Sequence, residues 1–158
     1  MPAGDPWRKR TGAVGERRAL TPAPLRAGMV RLAVRGNRAF SVDDREVRRQ
    51  GPSYTVDTLR ELRAEGHGDL VLIVGSDALA DMPNWKEAAA IPGLARVAVA
   101  MKAGAEIELP SWASAVEMPP LSVSSTFIRQ RVAAALPVRY LVPEPVRRFI
   151  VREGLYRA

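Results

Sequence analysis

A chain of 158 residues that is 47% hydrophobic and 26% charged has the makings of one compact domain burying roughly 68–70% of its unfolded surface, which excludes a disordered or fibrous polymer. It has no cysteine and one histidine, His67, which excludes disulfide staples, a cysteine nucleophile and a multi-histidine metal centre within the chain. The net charge of +7 is concentrated: residues 1–50 hold twelve basic residues against five acidic, whereas residues 51–158 hold twelve of each.

That asymmetry points to an anionic partner near the N-terminal third, a phosphorylated small molecule or a nucleic acid. It is equally what an ordinary solvated face would give, and with 21 of the 24 basic residues arginine and alanine abundant, what a coding bias would produce.

Residues 1–20 mix Pro, Gly and charge without periodicity and read as a loop. The start of the chain has no apolar signal region and no apolar run is long enough to span a bilayer, so the protein reads as cytoplasmic with no membrane partner. Thr21-Pro22 has the form of a helix cap followed by proline, and Leu25, Met29 and Leu32 recur at helical spacing, predicting a helix over about 22–35 that stops at Gly36-Asn37. Phe40–Val42 reads as a short strand. Val56, Leu59 and Leu62, after Ser53-Tyr54-Thr55, predict a second helix closed by Gly66.

Asp69–Gly75 is a continuous apolar run rich in β-branched residues, the pattern of a strand buried on both faces. Ser76 or Asp77 is placed to cap a short helix, and Asn84-Trp85-Lys86-Glu87 has the spacing of a capping box. Ala95–Met101 and Ser114–Met118 are further strands. Ser124-Ser125-Thr126 opens a helix carrying Ile128, Val132 and Ala135, and a last helix covers about Pro145–Arg152 before Gly154. Strands alternating with helices predict an α/β protein with a parallel sheet, with no repeat and no second domain evident.

In such sheets ligands bind beyond the carboxyl ends of the strands. Val74-Gly75-Ser76-Asp77 lies at one: Gly75 allows close backbone approach and Asp77 can accept from ribose hydroxyls, or the pair is a plain turn with a cap. Ser124-Ser125-Thr126-Phe127-Ile128-Arg129 combines a helix start, hydroxyl donors and a guanidinium one turn on, a combination able to hold phosphate. A serine cap beside a solvated arginine would look the same. Trp85 can stack on a planar heterocycle or staple its helix to the core. Trp7-Arg8-Lys9-Arg10 is a phosphate-binding stretch or a basic loop, and His67, between glycines, reads as a loop histidine.

Taken in order, these segments resemble the bacterial nicotinate-nucleotide adenylyltransferases. The likeness is carried by Pro2–Lys9, Gly51–Leu59, Val74–Leu79, Pro83–Lys86, Val123–Arg129 and Val138–Pro143 through to Gly154-Leu155-Tyr156, with residues 87–120 the least specific stretch.

The resemblance implies a Rossmann-like nucleotidyltransferase fold that moves adenylate from ATP to nicotinate mononucleotide in NAD biosynthesis, with Mg²⁺ accompanying ATP and no nucleic-acid partner. It implies ATP phosphate contacts at Ser124, Ser125, Thr126 and Arg129, nucleotide contacts at Gly75 and Asp77, pyridine contacts at Tyr54, Thr55 and Trp85, and catalytic roles for Arg129 and for Lys9 over the phosphates. No protein metal ligand is expected.

The family pattern begins with a strand and a Gly-x-Phe-Asp-Pro-x-His-x-Gly-His turn. The chain reads as a single domain, 1–158, starting after that segment, with its first strand and nucleotide-binding turn missing. The expectation is therefore a truncated chain with weak or absent turnover and an exposed apolar sheet edge. The alternatives are transfer to nicotinamide mononucleotide or another phosphorylated acceptor, and, from a different class, a basic nucleic-acid-binding module.

Overall fold

The computed structural model describes residues 21–101, 108–119 and 121–157. They form two compact units, one within residues 49–121 and the other made of the described residues up to 48 together with 122–157.

The first unit holds the sheet. Strand β1 (Val71–Gly75) pairs in parallel with β2 (Arg96–Met101), and β2 with β3 (Ala113–Glu117), in the order β1-β2-β3. Val71 stands opposite Arg96 and Gly75 opposite Ala100, while Val97 stands opposite Ala113. Parallel neighbours need a crossover, and here it carries helix α4 (Ser76–Asp81), two single 3₁₀ turns at Met82–Asn84 and Ala88–Ala90, and helix α5 (Ile91–Leu94). Helix α3 (Thr55–Ala64) precedes β1. Val56 and Leu59 of α3 pack with Val74, Leu79, Met82, Ile91, Ala95, Val97 and Val99 into one apolar cluster. The α/β reading with a parallel sheet flanked by helices therefore holds.

The expected burial of β1 on both faces does not. Leu72 and Val74 turn toward the cluster, but Val71 is 46% and Ile73 69% exposed. A period of two sends alternate residues to opposite faces, and among the described residues nothing covers the face that carries Val71 and Ile73. Phe40–Val42 is not a strand either: the segment is irregular and Phe40 is exposed.

Several expected caps also differ. Asn84 donates its amide to Asp81 Oδ1 at 3.1 Å and Glu87 pairs with Arg60 at 2.5 Å, so the capping box is not made. Glu87 instead takes a left-handed φ of 49° before the second 3₁₀ turn. Helix α4 takes extended Gly75, not Ser76 or Asp77, as its N-cap residue.

The second unit is helical, built of α1 (Ala23–Val34), α2 (Arg45–Arg48), α6 (Ser125–Ala133) and α7 (Glu144–Arg152). Pro22, not Thr21, occupies the N-cap of α1, with its carbonyl accepting from Leu25 and Arg26. Helices α1 and α7 pack together, and the Phe149 ring lies so close to Gly28 that a Cβ there would sit 3.4 Å from it. Ala27, Ile128, Val138, Val146 and Ile150 are buried. Helix α7 ends with Gly154 at φ +60° and the Leu155 N–H on the Ile150 carbonyl, the left-handed closure that favours glycine. No described helix is long and apolar enough to cross a membrane.

Candidate functional site

The expected site residues are shared between the two units. Lys9 and the rest of Trp7–Arg10 lie outside the described residues.

In the second unit, Ser124 is extended (φ −122°, ψ 158°) and its Oγ accepts the Phe127 N–H at 3.1 Å, making it the N-cap of α6. This is the cap that the Ser-Ser-Thr run predicts, because capping depends only on residues three apart. The helix start leaves the Ser125 and Thr126 N–H groups without intrahelical partners, at the positive end of the helix. Arg129, one turn on, donates from Nη2 to Thr126 Oγ1 at 3.1 Å. The structure thus brings Ser124, Ser125, Thr126 and Arg129 to one exposed helix end, with Ile128 buried beneath as the anchor. Two hydroxyls, two N–H groups and a guanidinium make a set of donors suited to phosphate oxygens.

In the first unit, Gly75 ends β1 and Asp77 stands in the first turn of α4, both exposed at the carboxyl end of the strand. The strand passes into the helix with no intervening loop, so the turn that parallel sheets use for ligands is here a strand end and a helix start. The Gly75 Cβ position has no atom within 4 Å, so its backbone is open to close approach.

Tyr54 is the extended N-cap residue of α3, with Thr55 first in the helix. Trp85 follows the 3₁₀ turn at Met82–Asn84, half-buried against the apolar cluster. Its indole N–H donates to Asp81 Oδ2 at 3.3 Å. Trp85 therefore packs on the core, as the staple reading expects, with part of the residue exposed.

Tyr54 and the chain at Trp85 are linked by a residue that sequence reasoning passed over. The Lys86 ammonium lies 4.9 Å from the Tyr54 ring centroid and 2.9 and 3.1 Å from the two Asp57 carboxylate oxygens. Asp57 also faces Arg60 at 4.0 Å, and Arg60 holds Glu87. Glu87 is thereby kept below the ordinary glutamate range, chiefly by the Arg60 hydrogen bond, and Arg60 is raised by the same contact. Asp81 could have been found from its i,i+4 spacing to Trp85. Lys86 and Asp57 are 29 residues apart, and no local pattern pairs them.

Other features involve none of these residues. His67 sits in an exposed turn 3.9 Å from Glu65, as a loop histidine would. A cavity of about 660 Å³ in the second unit, walled by Val132, Leu136, Ile150 and Leu155, contains none of the expected residues. Among the described residues no group of three His, Asp or Glu is placed to hold a metal.

A cytidylyltransferase-like family model matches residues 4–131. A protein of Roseiflexus sp. strain RS-1 named "Probable nicotinate-nucleotide adenylyltransferase" is 43% identical over 148 residues, covering 87% of this chain and 74% of its own length. Proteins with the same name from Thermomicrobium roseum and Streptomyces coelicolor are 38% and 41% identical, each alignment covering 99% of this chain and 76% and 83% of the relative.

Proposed function

The chain belongs to the cytidylyltransferase-like family, and on that premise we propose that it transfers adenylate from ATP to nicotinate mononucleotide, releasing pyrophosphate and forming deamido-NAD in cytoplasmic NAD biosynthesis. The observation that carries this reading is the set of relatives named for that activity at 36–43% identity across most of the chain.

The donor set at the start of α6 supports it. A phosphate oxygen of nicotinate mononucleotide attacks the α-phosphorus of ATP, a new P–O bond forms, and the bond to the β-phosphate oxygen breaks. Pyrophosphate leaves with the negative charge, and no covalent protein nucleophile is needed. The work left to the protein is alignment and charge stabilisation. Ser125 and Thr126, with the N–H groups of the helix start, would hold the polyphosphate, and Arg129 would take up charge on the leaving group as it develops. Ser124 shapes that end by capping it. Mg²⁺ enters as part of the ATP substrate.

Gly75 and Asp77 would lie along the nucleotide, and Tyr54, Thr55 and Trp85 would receive the pyridine mononucleotide. Lys9 is assigned the basic loop over the phosphates.

Calorimetric titration of ATP and of nicotinate mononucleotide tests the reading, with pyrophosphate release measured in parallel. Binding of both compounds, with ATP affinity lost in Arg129→Ala and mononucleotide affinity kept, is the expected result. Binding of neither compound overturns it.

A further inference from the structure

Helix α3 begins without a side-chain cap: Tyr54 stands at its N-cap, extended, and makes no cap bond. The local device that ordinarily fixes how a chain enters a helix is therefore missing there. A guanidinium from upstream takes its place. Arg49 Nη2 donates to Glu61 Oε1 at 2.7 Å, and both terminal nitrogens lie 3.4 Å from Thr58 Oγ1. Its side chain is only 19% exposed, so the fork is laid along the helix and not held out in water.

Thr58 and Glu61 stand three residues apart, one turn along the same strip of α3. The adjoining strip, Asp57 and Arg60, carries the ion pairs to Lys86 and Glu87. Arg49 thus reaches forward past Tyr54 to the first two turns of the helix and closes residues 50–53 into a tied turn. Two residues inside that turn are already restricted. Gly51 takes φ +87°, a left-handed backbone that favours glycine, and the ring of Pro52 fixes its own φ. With both ends pinned to one helix, the turn delivers Tyr54 and Thr55 in few arrangements.

We propose that Arg49 is a positioning residue for the acceptor side of the site. By tying the chain before α3 to Thr58 and Glu61, it holds Tyr54 and Thr55 in the shape that receives the pyridine mononucleotide. This rests on the adenylyltransferase reading and deepens it. Arg49 acts through the turn and not on the ligand. A released turn samples further conformations, and ordering it again costs conformational entropy. Apparent affinity then falls by the fraction of chains in the competent shape.

The first test is calorimetric titration of nicotinate mononucleotide and of a non-hydrolysable ATP analogue, on the wild-type chain and on Arg49→Met. Affinity for the mononucleotide should fall about five- to tenfold, while that for the ATP analogue stays within about twofold. Arg49→Lys keeps a charge for Glu61 but lacks the fork, and should recover part of the loss. Reversing the pair, Arg49→Glu with Glu61→Arg, should bind the mononucleotide more tightly than Arg49→Glu alone.

The second readout needs no ligand. The chain has three tyrosines, so fluorotyrosine labelling gives three fluorine resonances, with that of Tyr54 identified by Tyr54→Phe. In Arg49→Met the Tyr54 resonance should shift or broaden while those of Tyr140 and Tyr156 hold. Movement of all three marks a general loss of structure and overturns the local role.

An unchanged mononucleotide affinity in Arg49→Met, equal weakening of both ligands, or no recovery in the reversed pair overturns the assignment of Arg49. A wild-type chain that binds neither compound overturns the adenylyltransferase reading itself, and the fluorine spectra then decide by themselves whether Arg49 holds the turn. If Arg49→Met does not fold, Glu61→Gln, which removes the acid and leaves the arginine, carries the same comparison.

Discussion

The indole N–H of Trp85 donates to the carboxylate of Asp81, four residues earlier, at 3.3 Å. The same carboxylate receives the Asn84 amide through its other oxygen, so one acid holds both the turn and the ring that follows it. Long and exposed, the indole's bond falls below the usual range for a charged acceptor and is worth about 1 kcal/mol net. Asp81→Ala should therefore weaken nicotinate mononucleotide binding about fivefold and leave ATP binding unchanged. Asp81→Asn keeps an acceptor oxygen and should recover much of the difference. Calorimetric titration of both compounds checks this.

Ser124 caps α6 through its side chain, and it stands where the phosphate donors begin. Ser124→Ala should cost about 1 kcal/mol of stability, whereas Ser124→Gly should cost only a few tenths. Urea unfolding of the two variants separates them. Both should lower ATP affinity, because both remove the hydroxyl.

Arg129 bonds Thr126 within its own helix and has no carboxylate partner among the described residues. Its charge is therefore free to meet an anion. Arg129→Ala should weaken ATP about ten- to hundredfold, the range for hydrogen bonds to a charged group, and Arg129→Lys should recover part of it, lacking the planar fork. Nicotinate mononucleotide affinity measured on the same proteins should not change.

Ile91 is fully buried at the start of α5, within the cluster beneath the sheet. Ile91→Ala should cost about 2–5 kcal/mol, read as a lower urea midpoint. Such a loss would affect the pyridine-side residues together, since Trp85 packs on the same cluster.

Glu144 receives Arg147 and Arg148 at the start of α7, and these hydrogen bonds, Arg147 first, lower its pKa to about 2. A carboxylate depressed in the folded state stabilises the fold above its unfolded pKa, and that contribution fades as pH falls through the folded value. The melting temperature of Glu144→Gln should lie slightly below that of the wild type at pH 7. The gap should hold down to about pH 4.5, near the ordinary glutamate value, and then close toward pH 2. Melting curves taken across that range follow it.

How much of this was legible in the sequence depends on how far apart the interacting residues are. Helices α3, α6 and α7 were readable because their apolar residues recur every three or four positions, and the Ser124 cap because it acts over three residues. Strand β1 announced itself as a β-branched run and β2 as an apolar run of valine and alanine. The capping box at Asn84–Glu87 failed for a reason of the same kind in reverse: Arg60, 27 residues away, takes the Glu87 carboxylate, and Asp81 takes the Asn84 amide. A local preference yields when a charged partner arrives from elsewhere in the fold.

The amino-acid order alone determined the α/β alternation, the helix starts and stops governed by serine, proline and glycine, and the hydroxyl-and-arginine helix end, because each arises from neighbours within one or two turns. Tertiary structure alone decided the register of Val71 against Arg96, the exposure of Ile73, and the seating of Lys86 between Tyr54 and Asp57. Those depend on segments tens of residues apart meeting in space, where packing and charge pairing, not chain propensity, choose the partner.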